Sequence, residues 1–245
     1  MFPEVLNLYG DRGNIICLKK RLEWRGIDCE INEVKLGDQP DLTQYDLFFI
    51  GGGQDFEQEV LLNDLKAGKG DNIKAAIEDG KTFLVICGGY QMMGQTIEDP
   101  NHIEGPVSSM PGLGLLPTHT IMAQEKTTRQ TTFKLRIDSS EVLKGYEIHM
   151  GRTNATEGEM QGLAQFEDGT TDGYFQDEHC MGTYIHGILD NRAFVDFLLR
   201  PFADRIGRHH ESIDYQTYKQ QQYDLLADRV RQYLDMDKLY SILTP

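Results

Sequence analysis

The chain has 245 residues, enough for one sizeable core with additions, and 24 basic against 39 acidic side chains leave a net charge of −15. That surplus argues against non-specific binding to nucleic acid or to an anionic membrane surface. No apolar run reaches the roughly 18–20 residues that span a bilayer, the opening Met1-Phe2-Pro3-Glu4 lacks the order of a secretory signal, and Cys17, Cys29, Cys87 and Cys180 are too scattered for a disulfide framework or a zinc site, so a reducing cytoplasm is expected.

In chain order, Val5 to Leu8 reads as a first strand, followed by a Gly-rich turn through Asn14 and an amphipathic helix from about Ile15 to Arg25. Asn14 is the expected N-cap and Gly26 the residue that ends the helix. Ile27 to Val34 reads as a second strand and Tyr45 to Ile50 as a third, which runs into Gly51-Gly52-Gly53 and a helix starting near Phe56. The three glycines lack the spacing of a phosphate-binding loop. Their bare amides suit a close approach to a ligand instead. A helix over Asn72 to Asp79, closed by Gly80, leads to Thr82 to Ile86, a short apolar and β-branched strand. Alternation of strands with helices predicts a mostly parallel sheet covered on both faces.

Cys87 follows that strand at once, and Gly88-Gly89 then open a helical pattern at Tyr90-Gln91-Met92-Met93. A cysteine on a sharp strand-to-helix turn is a nucleophile elbow: small neighbours let the backbone fold tightly and leave one side chain exposed at the carboxyl end of the sheet. The helix start favours the thiolate, and the next backbone N–H can face a developing oxyanion. The amides of Gly52 and Gly53, at the same sheet edge, are the candidates for the second donor.

Beyond Gly94 the chain is rich in Pro and Gly. Thr118 to Ala123, Thr131 to Ile137, Tyr146 to His149, Leu163 to Phe166 and Asp172 to Phe175 read as strands of antiparallel character, with a polar turn expected at Gln124–Gln130. Met181 to His186 reads as a last strand, Arg192 to Arg200 as a helix, and Tyr215 to Leu239 as one long polar helix. A catalytic cysteine needs a base. His186, at the end of an apolar strand and before Gly187, is the best placed. His149 is the rival, with a structural role on its strand the stronger reading. His179 and Cys180 are adjacent and point to opposite sides of a strand, so no metal site is expected.

Four segments occur in a fixed order: Phe49 to Asp55, Ile86 to Gly94, Gly145-Tyr146-Glu147-Ile148-His149-Met150-Gly151, and Gly182-Thr183-Tyr184-Ile185-His186-Gly187. Together they resemble the class I, triad-type glutamine amidotransferases of the cobyric-acid-synthase-like branch, up to about Phe202. Within that branch the stretch from Leu8 to Ile16, Lys126-Thr127-Thr128-Arg129 and Gly151-Arg152-Thr153 are most similar to the glutaminase subunits of lipid II isoglutaminyl synthases.

The resemblance implies a flavodoxin-like α/β domain over residues 1–202, with additional antiparallel strands. A C-terminal helical extension over 203–245 would pack on it or on a partner. Cys87 would be the nucleophile, His186 the general base and acid, and Gly52, Gly53 and Gly88 the oxyanion hole. Arg129 would hold the substrate α-carboxylate as a fixed guanidinium can, and Gln91 is a further substrate-binding candidate. No cofactor is expected in this chain. A Mur-ligase-like partner would bind ATP and Mg, receive ammonia from L-glutamine, and amidate the D-glutamate of lipid II at the inner membrane face.

A cobyrinate-type synthase, a thiol hydrolase of the same fold and a non-catalytic binding subunit are the alternatives. One departure stands out: Ile188 occupies the place where most such enzymes carry the acid that orients the histidine. Asp190, Glu147 or a carboxylate from the partner could supply it, and the last implies weak activity for the chain alone.

Overall fold

The structure, a computed structural model, describes residues 1, 12–53, 55–103, 105–138, 140–207 and 212–243. The expected strand at Val5 to Leu8 lies outside them. The first described helix, α1, spans Arg12–Trp24 and buries Leu18, Leu22 and Trp24; Gly26 follows at φ +69°. Asn14 is inside this helix and buried, not at its cap. The expected second strand at Ile27 to Val34 is absent among the described residues: no strand is assigned over residues 27–35, and Ile31 is 42% exposed. Among the described residues this apolar alternation joins no ladder, and β-propensity alone does not make a strand.

Strand β1, Leu47–Ile50, leads through the glycine loop to α2, Asp55–Asp64, and then α3, Gly70–Glu78. Strand β2, Thr82–Ile86, is followed by α4, Gly88–Met93. Next come β3, Thr96–Glu98; β4, Ser109–Pro111; β5, Thr118–Leu135; β6, Leu143–Ala155; β7, Ala164–Phe166; β8, Thr171–Asp172; β9, Tyr174–Asp177; β10, Cys180–Thr183; and β11, Ile185–His186. Helices α5, Arg192–Leu198, α6, Ala203–Ile206, α7, Tyr215–Tyr233, and α8, Met236–Leu243, end the chain. No helix among the described residues is long and apolar enough to cross a membrane.

The strands among the described residues form two sheets. One has the order β1-β2-β10-β9, with β1, β2 and β10 parallel; the other runs β11-β6-β5-β3-β4, with β7 and β8 attached. Alternate residues of the parallel strands enter two cores. Phe48, Ile50, Phe83 and Val85 pack with Leu61, Leu65 and Ile73 on one face, while Phe49, Leu84, Ile86 and Met181 pack with Leu18, Leu22 and Phe194 on the other. Burial on both faces explains why these strands are continuous apolar runs in the sequence.

Three further expectations are corrected by the strand and helix bounds. Gln124–Gln130 is not a turn: β5 runs on through it, paired with β6 on either side of a register shift between Met122 and Thr127. A ladder satisfies backbone groups whatever the polarity of the side chains, so composition misreads such a segment. Met181 to His186 is two strands, broken at Tyr184. The tail is two helices, since Leu234 is extended between α7 and α8.

Candidate functional site

The break at Tyr184 is where the chain leaves one sheet for the other. Thr183 pairs with Ile86 of β2, whereas Ile185 and His186 pair with Glu147 and Tyr146 of β6. Asp172 makes the crossing. It accepts from the Thr183 hydroxyl and from the Tyr184 amide at 3.1 Å, and the Ile185 amide donates to the Thr183 hydroxyl at 3.0 Å. These side-chain acceptors replace the interrupted ladder. Burial pushes the Asp172 carboxyl up to about 6 against the opposing hydrogen bond from Thr183.

Cys87 lies at the end of β2, beside this seam. Its φ of 54° and ψ of −113° put a non-glycine residue in the left-handed half of backbone space, a conformation that costs of order 1–3 kcal/mol and clusters at functional sites. Its amide donates to Thr183 O at 2.9 Å, and the Gly89 amide donates to Gly51 O at 2.9 Å. A Cβ on Gly89 would lie 2.5 Å from the oxygen of Ile50, so only glycine lets α4 approach the end of β1 this closely. The loop that carries Gly52 and Gly53 is thereby fastened next to Gly88. The thiol is partly exposed, and its sulfur lies 3.9 Å from the carbonyl oxygen of Ile148 in β6.

His186 comes to β6 two residues away. It pairs with Tyr146, whose ring stacks on the imidazole at 5.1 Å between centroids and 14° between planes. Cys87 and His186, far apart in sequence, thus both meet β6 between Tyr146 and Ile148.

The other face of β6 carries a polar row. Glu147 receives hydrogen bonds from Arg129 and lies 3.4 Å from Nε2 of His149, whose Nδ1 faces Gly151 O at 2.8 Å. The His149 ring stacks on Tyr184 at 3.9 Å, and the Tyr184 hydroxyl meets Thr153 Oγ1 at 2.6 Å and Gln91 Nε2 at 3.2 Å. Burial pushes the Glu147 carboxyl up, but the hydrogen bonds of His149 and Arg129 and the guanidinium charge outweigh it and hold it below the usual range.

The structure therefore sets Cys87, Gly88 and the 51–53 loop beside the seam, with the thiol against Ile148, and His186 two residues along β6 against Tyr146. It does not bring Arg129 there directly. Arg129 pairs with Glu147 while His186 pairs with Tyr146, so they sit on opposite faces of β6. The guanidinium lies 4.7 Å over Phe166. Gln91 is 3% exposed and turned inward to Tyr184. Of the two local acids, Glu147 bonds to Arg129 and His149, and the carboxylate of Asp190 to Tyr215 and Lys219. Asp172, which builds the seam, escaped the sequence reading because its partners lie 11 and 12 residues away.

Residues 1–194 match the model of the CobB/CobQ-like glutamine amidotransferase domain. The chain belongs to this family. It is 44% identical over 209 residues to the cobyric acid synthase of Phocaeicola vulgatus, covering 83% of this chain and 41% of that protein. It is also 40% identical over 221 residues to that of Parabacteroides distasonis, covering 88% and 43%. The chain thus spans about two-fifths of the length of these relatives.

Among solved structures it resembles PurLQS from Thermotoga maritima, with a TM-score of 0.53, 15% identity, and 77% of this chain and 91% of that chain covered. It also resembles SMU.1228c, with a TM-score of 0.51, 16% identity, and 92% and 96% covered. These two likenesses concern the fold alone, an α/β domain with helices flanking its sheets.

Proposed function

We propose that this amidotransferase domain is a glutaminase that feeds ammonia to an ATP-dependent synthase. The observation that carries the reading is the left-handed backbone of Cys87, held at a strand end against the Gly51–Gly53 loop. In the proposed reaction the Cys87 thiolate attacks the side-chain amide carbon of glutamine. The amides of Gly52 or Gly53 and of Gly88 stabilise the tetrahedral oxyanion. His186 protonates the departing ammonia, then takes a proton from the water that opens the thioester and releases glutamate. Arg129 is the candidate for the glutamine α-carboxylate.

Two acceptors fit this reading. The sequence likeness of Leu8 to Ile16 and the Arg129 segment to lipid II isoglutaminyl synthase subunits supports a Mur-ligase-like partner and the D-glutamate α-carboxyl of lipid II. The 44% identity to cobyric acid synthase supports a cobyrinate-type acceptor, and of the two it is the more extensive likeness. Labelling with diazo-oxo-norleucine, followed by peptide mass spectrometry, tests the shared chemistry: the adduct is expected on Cys87, and an adduct elsewhere overturns it. Supplying each synthase in turn with labelled glutamine then shows which acceptor gains the nitrogen.

A further inference from the structure

His186 is followed by a tight turn, and that turn is gripped by the C-terminal helix. Gly187 is left-handed at φ +69°, and the Asp190 amide closes the turn onto Gly187 O at 3.0 Å. On one side Asn191 ties the turn to β6: its Oδ1 accepts from the Lys144 amide at 2.9 Å and its Nδ2 donates to Lys144 O at 2.8 Å. On the other side everything converges on Asp190. The Tyr215 hydroxyl donates to Oδ1 at 2.9 Å and the Lys219 ammonium to Oδ2 at 2.6 Å, both from the first turns of α7. Cys17 adds a sulfur contact of 3.5 Å; burial and the Asp190 charge push its thiol to about 11, so it serves as donor. Arg21, fully buried, donates to the carbonyls of Asp190 at 2.7 Å and Leu189 at 3.3 Å, and its guanidinium lies 4.8 Å over the Tyr215 ring. Trp24 seats the helix, with Tyr218 at 4.9 Å.

We propose that Tyr215 and Lys219 are positioning residues: acting through Asp190, they fix the turn after His186 and so hold the imidazole at the thiol. The inference rests on the reading of His186 as the base. A carboxylate with three side-chain donors, four residues past the histidine, is spent on anchoring the turn, and a displacement of about 1 Å at a reacting group costs on the order of 100-fold in rate. The matched region ends at residue 194, so this anchor comes from outside it.

The test compares the full chain with Tyr215→Phe/Lys219→Met, Lys219→Arg and His186→Ala. Three quantities are read: the maximal rate and half-saturation of diazo-oxo-norleucine labelling, the pH profile of Cys87 alkylation by iodoacetamide, and the Tm. The double variant is expected to lose about tenfold or more in maximal labelling rate, with half-saturation within twofold and an alkylation profile displaced toward that of His186→Ala. Lys219→Arg, which keeps the charge, restores most of the rate. If the double variant does not fold, Lys219→Met alone carries the comparison. A maximal rate within twofold of the parent, or a loss that tracks Tm with the profile unmoved, overturns the proposal. An unchanged profile and rate in His186→Ala overturns instead the reading of His186, and the proposal with it.

Discussion

The amide of Cys87 donates to the carbonyl of Thr183 at 2.9 Å, and three residues beyond Thr183 stands His186. One backbone hydrogen bond thus links the elbow of β2 to the end of β10, just before the break that leads to the imidazole on β11. The left-handed φ of Cys87 turns its side chain out of the β2 ladder toward β6, where both side chains arrive. Strain at Cys87 and the interruption at Tyr184 serve the same end, since an unbroken β10–β11 strand would stay paired with β2.

The strain is measurable. Cys87→Ala and Cys87→Gly both remove the sulfur and abolish labelling by diazo-oxo-norleucine. They differ in stability, because alanine keeps the positive φ and glycine relieves it. A relief of 1–3 kcal/mol less the extra unfolded-state entropy of glycine leaves Cys87→Gly about 1 kcal/mol more stable than Cys87→Ala. Urea titration of the two proteins checks this; equal midpoints would mean that φ at position 87 carries no strain.

Gly89 tests the other half of the elbow. A methyl there meets the oxygen and carbon of Ile50 at 2.5 and 2.9 Å. Neither atom can move without shifting β1 or α4; α4 carries Gly88, and β1 leads into the loop of Gly52 and Gly53, the proposed oxyanion donors. Gly89→Ala is expected to cost about 1–3 kcal/mol, the usual price of overpacking, and to lower the labelling rate of Cys87 by on the order of 100-fold, the scale of one lost oxyanion donor. A folded variant with an unchanged rate argues against that loop as the donor site.

Asp172 makes stability depend on pH in a defined direction. Its folded value of about 6 lies above the roughly 3.9 of an unfolded aspartate. The folded state therefore binds the proton more tightly, so this group's contribution is present in full below about pH 4 and is lost as pH rises through about 6. A shift of about two units corresponds to roughly 3 kcal/mol. The stability of the parent relative to Asp172→Asn should thus fall between pH 4 and 7 and level off above. A difference that rises over that interval would reverse the assignment.

The elbow was legible because every signal for it is local: an apolar strand, a cysteine and two glycines, in consecutive positions from Thr82 to Gly89. The strands β1 and β2 were legible for the same reason, being buried on both faces. The seam at Tyr184 was not, because the groups that interrupt the strand come from Asp172, which nothing in Met181 to His186 announces. Asp190 shows the limit from the other side. Its place near His186 suggested a catalytic acid, but the direction of its carboxylate is decided by Tyr215 and Lys219, 25 and 29 residues on. The polar stretch of β5 was misread because side-chain polarity says little where the ladder holds the backbone, as it does from Thr127 to Gln130 beyond the register shift.

Arg129 separates a binding role from a structural one. Its partner Glu147 is buried, and its side chain is 46% exposed. Because Glu147 is held below the usual carboxylate range, the stability it contributes is present above the roughly 4.3 of an unfolded glutamate and is lost as pH falls through the lower folded value. Arg129→Ala removes part of that, about 1–2 kcal/mol for a charged hydrogen bond at a half-exposed site, with the loss greatest near pH 7 and shrinking toward acid. Were Arg129 only a partner of Glu147, labelling by diazo-oxo-norleucine would keep its half-saturation. A guanidinium that also grips the α-carboxylate predicts a rise in half-saturation of about 10- to 100-fold, the worth of a charged hydrogen bond, with the maximal rate changed far less. Arg129→Lys, which keeps the charge but not the fork, should recover the stability more fully than the affinity.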